Sequence, residues 1–345
     1  MAFDPVQEDY EHMVLRFCQS QASSSVSEAA RKLQDFGTRY AKERDSLPQK
    51  DSDRAFHLVS EAALIIDYRL LFAADNAVDD LVTKAQKLLS EALVLDRGNL
   101  DAQRMLAAAQ SNTFEGYYRY LLEHEAEAKA TSEKMAEDAK TATSEEERSL
   151  ICRLALAPYL RWIAAEADRA LICGHYRQSI EFAKKAIRLD PSDEAGAHLT
   201  AAYALAKLED ANGFTDLLEY VQHESLPRSA WLDIANISID FRLGFIDEAR
   251  VGLRHILERY PEADTVLIQQ HELPDGVYSR LPVETGSEDE LILAVSEAAV
   301  LLQEGRDSQE RGTLASWIAS EVPALQAQTG RRGTLSHQGQ KGDGR

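Results

Sequence analysis

Residues that interrupt helices are scarce in this chain, with 9 prolines and 17 glycines among 345 residues. Good helix formers (Ala, Leu, Glu, Lys and Arg) fill nearly every window, which excludes a strand-and-turn architecture and predicts an all-α protein. Only 3 cysteines occur, Cys18, Cys152 and Cys173, an odd number without a CxxC pair or zinc-ligand spacing. Neither a disulfide framework nor a metal site is expected, and the thiols are read as buried. No window approaches eighteen uninterrupted apolar residues, and the first residues, MAFDPVQEDYEHM, carry Asp4, Glu8, Asp9 and Glu11 where a leader would be basic and then apolar. The expectation is a cytoplasmic protein without membrane insertion. Positive charge is also short: 38 Lys and Arg face 58 Asp and Glu, a formal net charge of -20. Such a field opposes a phosphate backbone, so nucleic acid is excluded as the expected partner, and a protein or peptide surface is easier to accommodate.

Apolar residues recur at three and four along most of the chain, the helical period. Two helices fit residues 4–44, with a break at Ser23 to Ser25. Ser46 to Lys50 reads as a loop, and Asp51 or Ser52 is placed to cap the next helix. A stripe from Leu81 to Leu93 ends at Asp96, Arg97, Gly98 and Asn99, where Gly98 suits a left-handed closing residue. Residues 114–142 start with Phe114, Tyr117, Tyr118, Leu121 and Leu122, then alternate charge with alanine, which predicts a helix with an exposed second half. Thr143 and Ser144 before Glu145 to Glu147 read as a helix start. The tail from Gly330 to Arg345 holds one leucine and five glycines, too little apolar surface to offset ordering, and is expected to be disordered. The divisions drawn are 1–50, 51–142, 143–262, 263–329 and 330–345.

The strongest signal is an internal match. GHYRQSIEFAKKAIRLDP (174–191) and GFIDEARVGLRHILERYP (244–261) both run from glycine through a helix to proline, and their glycines are 70 residues apart. That is two units of about 35 residues. A weaker copy lies between them, Ala195 to Leu208 and Asn212 to Pro227, with an irregular turn. Asp80 to Arg97 repeats the second-helix pattern, Ala85, Leu89, Ala92 and Leu95 matching Ser179, Ala183, Ala186 and Leu189. On these residues the chain resembles the tetratricopeptide repeat family of helix-turn-helix units. The matching positions are Ala167, Gly174, Tyr176, Ala186 and Pro191, then Gly244, Ala249 and Pro261. Departures are Trp162 and Trp231 at unequal offsets from the turn glycine, Ser179 where alanine is usual, and Ile237 and Ile256 opposite the small Ala167 and Ala186, which argues against close helix crossing in that copy.

Chemistry is not legible. Among 9 histidines none forms HExxH, and the chain lacks GxxxxGK[ST], a GxGxxG after a strand, and GxSxG. No catalytic, cofactor-binding or metal residue is assigned, and an enzyme is not expected. The resemblance implies instead a scaffold or adaptor that holds a peptide or helix on the concave side lined by first helices, the alternative being a regulatory or sensor protein whose repeats dock on a partner. The candidate contact residues are Trp162, Ala164, Asp168, Tyr203, Trp231, Ile234 and Ser238. A clamp for acidic chaperone tails is not supported, because the first helix offers Ile163, Ala164, Ala167, Asp168 and Leu171 where Lys and Asn are wanted. Residues 273–283 form a candidate binding loop or connector. The C-terminal helix with Leu291, Leu293, Val295, Ala298, Leu301 and Leu302 either caps the array or makes a homo-oligomer.

Overall fold

The computed structural model describes residues 3–20, 26–70, 73–271, 283–305 and 311–338, and these contain helices and connecting turns but no strand. The all-α expectation holds. Loop residues 273–282 lie outside the described residues. The chain divides into two compact units, one formed mainly by Met1–Cys173 and the other mainly by Ala197–Leu273 with Val283–Arg345.

In the first unit the helices are α1 (Pro5–Ser20), α2 (Val26–Glu43), α3 (Asp51–Ala63), α4 (Asp75–Leu95), α5 (Leu100–Gln110), α6 (Phe114–Ala136) and α7 (Glu145–Ile172). Apolar stripes of α3, α4 and α5 meet in one core containing Ala55, Val59, Ala62, Leu89, Ala92 and Met105. The long helices α6 and α7 run antiparallel. The Trp162 indole donates to the Leu121 carbonyl (3.2 Å), Tyr159 to Glu125 (2.5 Å) and Ser132 to the Ala155 carbonyl (2.8 Å). The alanine-rich stretch of α6 therefore folds back on α7, burying Ala128 and Ser132 and leaving its charges outside.

Helix ends follow the expected chemistry at one place and not at two others. Ser144 caps α7 by accepting from the Glu147 N–H (3.1 Å). At α3, however, the helix already includes Asp51 and Ser52, and it is Asp53 that reaches back to accept from the Lys50 N–H (2.8 Å). Gly98 is not left-handed either: α4 ends on extended Asp96, whose side chain accepts the Gly98 N–H (2.9 Å). The side-chain bond closes the turn without a positive φ.

Helix α8 (Tyr176–Leu189) spans the boundary between the units. The second unit continues with α9 (Ala197–Lys207), α10 (Ala211–His223), α11 (Ala230–Arg242), α12 (Ile246–Arg259), α13 (Ala263–Gln269), α14 (Glu288–Glu297), α15 (Ala299–Leu302) and α16 (Thr313–Gln338). Helices α9 with α10 and α11 with α12 form hairpins, and α9 packs on α11. Gly244 closes α11 at φ +83°, its N–H bonded to the Phe241 carbonyl (3.2 Å) and the next N–H, of Phe245, to Asp240 (2.8 Å). This paired closure is the Schellman arrangement. The turn after α9, expected to be irregular, has the same geometry: Glu209 at φ +55° bonds Ala206 (3.2 Å) and Asp210 bonds Leu205 (3.0 Å). Ser225 repeats it after α10 at φ +57°. The fold thus imposes a left-handed residue even where the sequence supplies no glycine.

The α11–α12 crossing corrects a second expectation. Bulky Ile237 is accommodated because Gly252 of α12 faces it; a Cβ at Gly252 would stand 2.8 Å from Ile237 Cγ1. The small residue needed for close approach sits on the opposite helix. Helix α16 is described as far as Gln338, and residues 339–345 of the expected tail lie outside the described residues.

Candidate partner-binding surface

Helices α9 and α11 are buried around nearly their whole circumference and are mostly apolar, with His198, Thr200, Asp233, Asn236 and Ser238 as polar members. Every residue of 197–206 is buried, as are all of 230–239 except the half-buried Asn236. A helix apolar on all sides belongs inside a fold, not along an open groove. The expected contact residues are corrected accordingly. Trp162 (0% exposed), Tyr203, Trp231, Ile234 and Ser238 (0%) are core residues, unable to touch a partner while the fold is closed. Trp162 belongs to the α6–α7 pair, where its N–H is used by Leu121 and its ring lies 6.0 Å from Tyr120. Ala164 and Asp168 are half-buried in the first unit. The seven residues do not form one surface within a unit: Trp162, Ala164 and Asp168 belong to the first, the other four to the second.

Part of what covers α9 and α11 is the chain's own C-terminal segment. Helix α14 packs on α11 and α15 on α9. Tyr203 donates its hydroxyl to the Ala294 carbonyl (2.7 Å), and the Trp231 indole N–H to Glu297 Oε2 (2.8 Å). Lys207 Nζ reaches the Val300 carbonyl (3.2 Å) and Glu304 Oε2 (2.8 Å), and Arg242 also pairs with Glu304. At the start of α11, Glu290 Oε1 accepts the Ala230 N–H (2.8 Å), a carboxylate where the helix N-terminus presents orphan donors. Leu291, Ala294, Ala298 and Leu301 of the covering segment are each wholly buried. The six residues named from the sequence, Leu291, Leu293, Val295, Ala298, Leu301 and Leu302, are all buried, so they are spent on covering this unit. Legible in the sequence, but missed, was the spacing of carboxylates at 290, 297 and 304, seven apart; of the inward stripe, Leu291, Ala298 and Leu301 were expected and Ala294 was not.

The first unit carries a second candidate, a buried ionic network also missed from sequence because its members are distant along the chain. The Arg161 guanidinium donates to both oxygens of Glu8 (2.8 and 2.9 Å) and both of Asp101 (2.9 and 2.6 Å), joining α7, α1 and α5. Asp9 accepts from Tyr40 (2.8 Å) and from Arg44 Nε (2.8 Å) and lies 3.0 Å from His57 Nδ1. Burial by itself would raise the Asp9 carboxyl, but the His57 hydrogen bond and the Arg44 guanidinium outweigh it and hold it at about 2. Beside this network is a cavity of about 640 Å³ lined by Arg44, Asp45, Gln49, Asp51, Arg54, His57 and Glu61 with Leu47, Pro48, Leu58 and Leu95. Arg44 already donates to Asp9, Gln49 and the Asp53 carbonyl, and the rim carries both signs of charge, so the cavity defines no ligand chemistry.

Glu166, on α7, is fully buried, and neither carboxylate oxygen has a hydrogen-bond partner of good geometry; the neighbouring Trp162 N–H points to Leu121 instead. Burial, then the charge of Glu125, push its carboxyl up to about 8 against the opposing effect of Lys185, so it is held protonated at neutral pH. The thiols are less enclosed than expected: Cys18 on α1 and Cys152 on α7 are exposed, and Cys173, the residue that closes α7, is half-buried. Among the described residues no group of three or more His, Cys, Asp or Glu could hold a metal ion, and no helix is long and apolar enough to cross a membrane. Comparison with protein-family models returns no match, and neither does comparison with curated protein sequences.

Proposed function

We propose that this chain is a protein-interaction scaffold, a stack of helical hairpins similar to tetratricopeptide repeats that holds a partner's peptide or helix. The observation that carries the reading is in the second unit. Two successive hairpins, α9–α10 and α11–α12, stack through their first helices, and a further helical segment lies across those first helices. A surface built from parallel first helices is suited to receive a helix by burying one apolar stripe and fixing register with polar anchors. Large apolar side chains left outside the core, Phe245 (53% exposed) and Val251 (59%), supply additional contact area near the α11–α12 turn and along α12.

Partner capture tests the reading. The intact chain and a Phe245→Asp, Val251→Asp variant, matched by circular dichroism, are crosslinked in native lysate and the retained proteins identified. A specific partner on the intact chain supports the scaffold, and its loss from the variant assigns the α12 surface. Recovery by both chains keeps the scaffold and moves the contact elsewhere. If neither chain retains a protein above an unrelated acidic control, the scaffold reading is overturned.

A further inference from the structure

The chain's own C-terminal segment is a worked example of what the α9–α11 face recognises. Its inward stripe, Leu291, Ala294, Ala298 and Leu301, follows the alternating three-and-four spacing of a helix laid against helices, and all four residues are wholly buried. Alongside that stripe Glu290, Glu297 and Glu304 recur every seven residues and accept from the Ala230 N–H at the start of α11, from the Trp231 indole, and from Lys207 with Arg242; Glu290 also accepts from Tyr260 (3.4 Å) and the Gly286 N–H. Trp231 and Ala230 are buried, and the Lys207 side chain is only 8% exposed. Donors placed this way are costly to leave without an acceptor, so a helix lacking the carboxylates is rejected even when its apolar stripe fits.

We infer that the α9–α11 face is a reader of acidic amphipathic helices with carboxylates at seven-residue spacing. The segment 288–304 fills it in the free chain, and an acidic helix of the same pattern from a partner exchanges with that segment. The inference rests on the scaffold reading and narrows its partner class. Exchange needs α14 and α15 to leave together, giving up their packing on α13 and α16 and the Gly312 and Thr313 N–H bonds to Leu302 and Glu304 as well as the anchors on α9 and α11. Helix α14 ends at Glu297, and Ala298, where ψ is 2°, separates it from α15, so the segment is two short helices, not one rigid rod.

Two measurements test this. A fluorescein-labelled synthetic peptide of residues 286–306 is titrated into the full chain and into a full-length Glu297→Gln, Glu304→Gln variant whose own segment is less well anchored. Binding to the variant is expected to be at least about tenfold tighter than to the unmodified chain, one lost charged hydrogen bond being worth about that factor. The same peptide with Gln at 290, 297 and 304 should bind at least about tenfold more weakly. Equal binding to both chains, or equal binding of both peptides, overturns the inference. Hydrogen exchange on the unmodified chain keeps it open to refutation if the variant does not fold. Amides of 288–302 should exchange by an opening of their own, faster than those of α9 and α11. If they exchange only with global unfolding, the segment is a permanent part of the core and no partner helix replaces it. That result would leave the scaffold reading intact if capture succeeds, whereas peptide binding without any captured partner would count against the scaffold alone.

Discussion

The two units bury their interiors by different means. In the first, distant elements are tied by charges: Arg161 holds Glu8 and Asp101, Arg44 holds Asp9, and Arg16 holds Asp53 (2.7 Å). In the second, the central helices α9 and α11 are mostly apolar, and charges gather at helix ends and rims: Asp233 with Arg228 (2.7 Å) in the first turn of α11, Glu290 at its start, Glu304, and the Arg250–Glu321 pair (2.9 Å). A buried ion pair adds little net stability over an apolar replacement, but it cannot tolerate loss of one member. An apolar helix stack tolerates small polar changes at its rims but not changes of volume at its crossings. The first unit is therefore brittle toward charge and the second toward size.

The sharpest test of that contrast is Arg161→Met. It leaves Glu8 without its bidentate partner and Asp101 with Arg104 alone, and is expected to cost about 3–5 kcal/mol in urea unfolding. Adding Glu8→Leu, Asp101→Leu and Arg104→Met should recover most of the loss, since apolar side chains then replace every charge of the buried cluster, including Arg104, which pairs with Asp101 (3.3 Å). Full loss in this quadruple variant would mean that the network supplies stability beyond avoiding unpaired charge.

The protonation of Glu166 gives a pH signature peculiar to the first unit. Its carboxyl titrates at about 8 in the folded protein, above the ordinary value of 4.5, so between these values the folded state holds a proton that the unfolded state has lost. Stability must then fall as pH rises through that window, by up to about 1.4 kcal/mol per pH unit, and be unaffected by this group below it. Glu166→Gln should flatten the decline measured from pH 5 to pH 8. Asp9 acts at the other end with the opposite sign: being held down at about 2, it contributes stability above about pH 4 that is lost on acidification toward pH 2.

Size sensitivity in the second unit is tested at the α11–α12 crossing. Gly252→Ala should raise intrinsic helix propensity by about 1 kcal/mol yet destabilise by about 1–2 kcal/mol overall, because the new methyl meets Ile237 at 2.8 Å. Combined with Ile237→Ala the cost should be less than the sum of the two single changes, the mark of a shared contact. The smallest effects belong to the turns. Gly244→Ala places a Cβ at φ +83° with no atom within 4 Å, so its expected cost of about 1 kcal/mol is conformational only. Glu209→Gly, in the same closure at φ +55°, should stabilise by up to about 1 kcal/mol. If both variants lose stability, the two turns are not equivalent and Glu209 makes a contribution that backbone geometry does not explain.

Much of the architecture was readable from residue spacing, and the places where reading failed share one cause. Helix positions, the Ser144 cap and the Gly244 turn are local, decided by side chains within a few residues of each other. The contact residues were misplaced because first helices were assigned to an open concave side. The sequences AHLTAAYALA and AWLDIANISI carried the contrary signal, apolar residues spread over all sides with few charges, but what covers such a helix lies about 60–90 residues further on. The Arg161 network had no such signal, because Glu8 and Arg161 are 153 residues apart and each resembles any surface charge until the chain folds.

Composition and period alone determined that this protein is helical, that its helices pair through recurrent short turns, and where most of them start, because hydrogen bonds and apolar stripes repeating every three or four residues are local quantities. Only the tertiary structure decided which stripes meet, which charges are buried, and that residues 288–304 cover the face expected to await a partner. Those outcomes depend on contacts between segments far apart in sequence, whose closing entropy and desolvation are resolved only when the whole unit assembles.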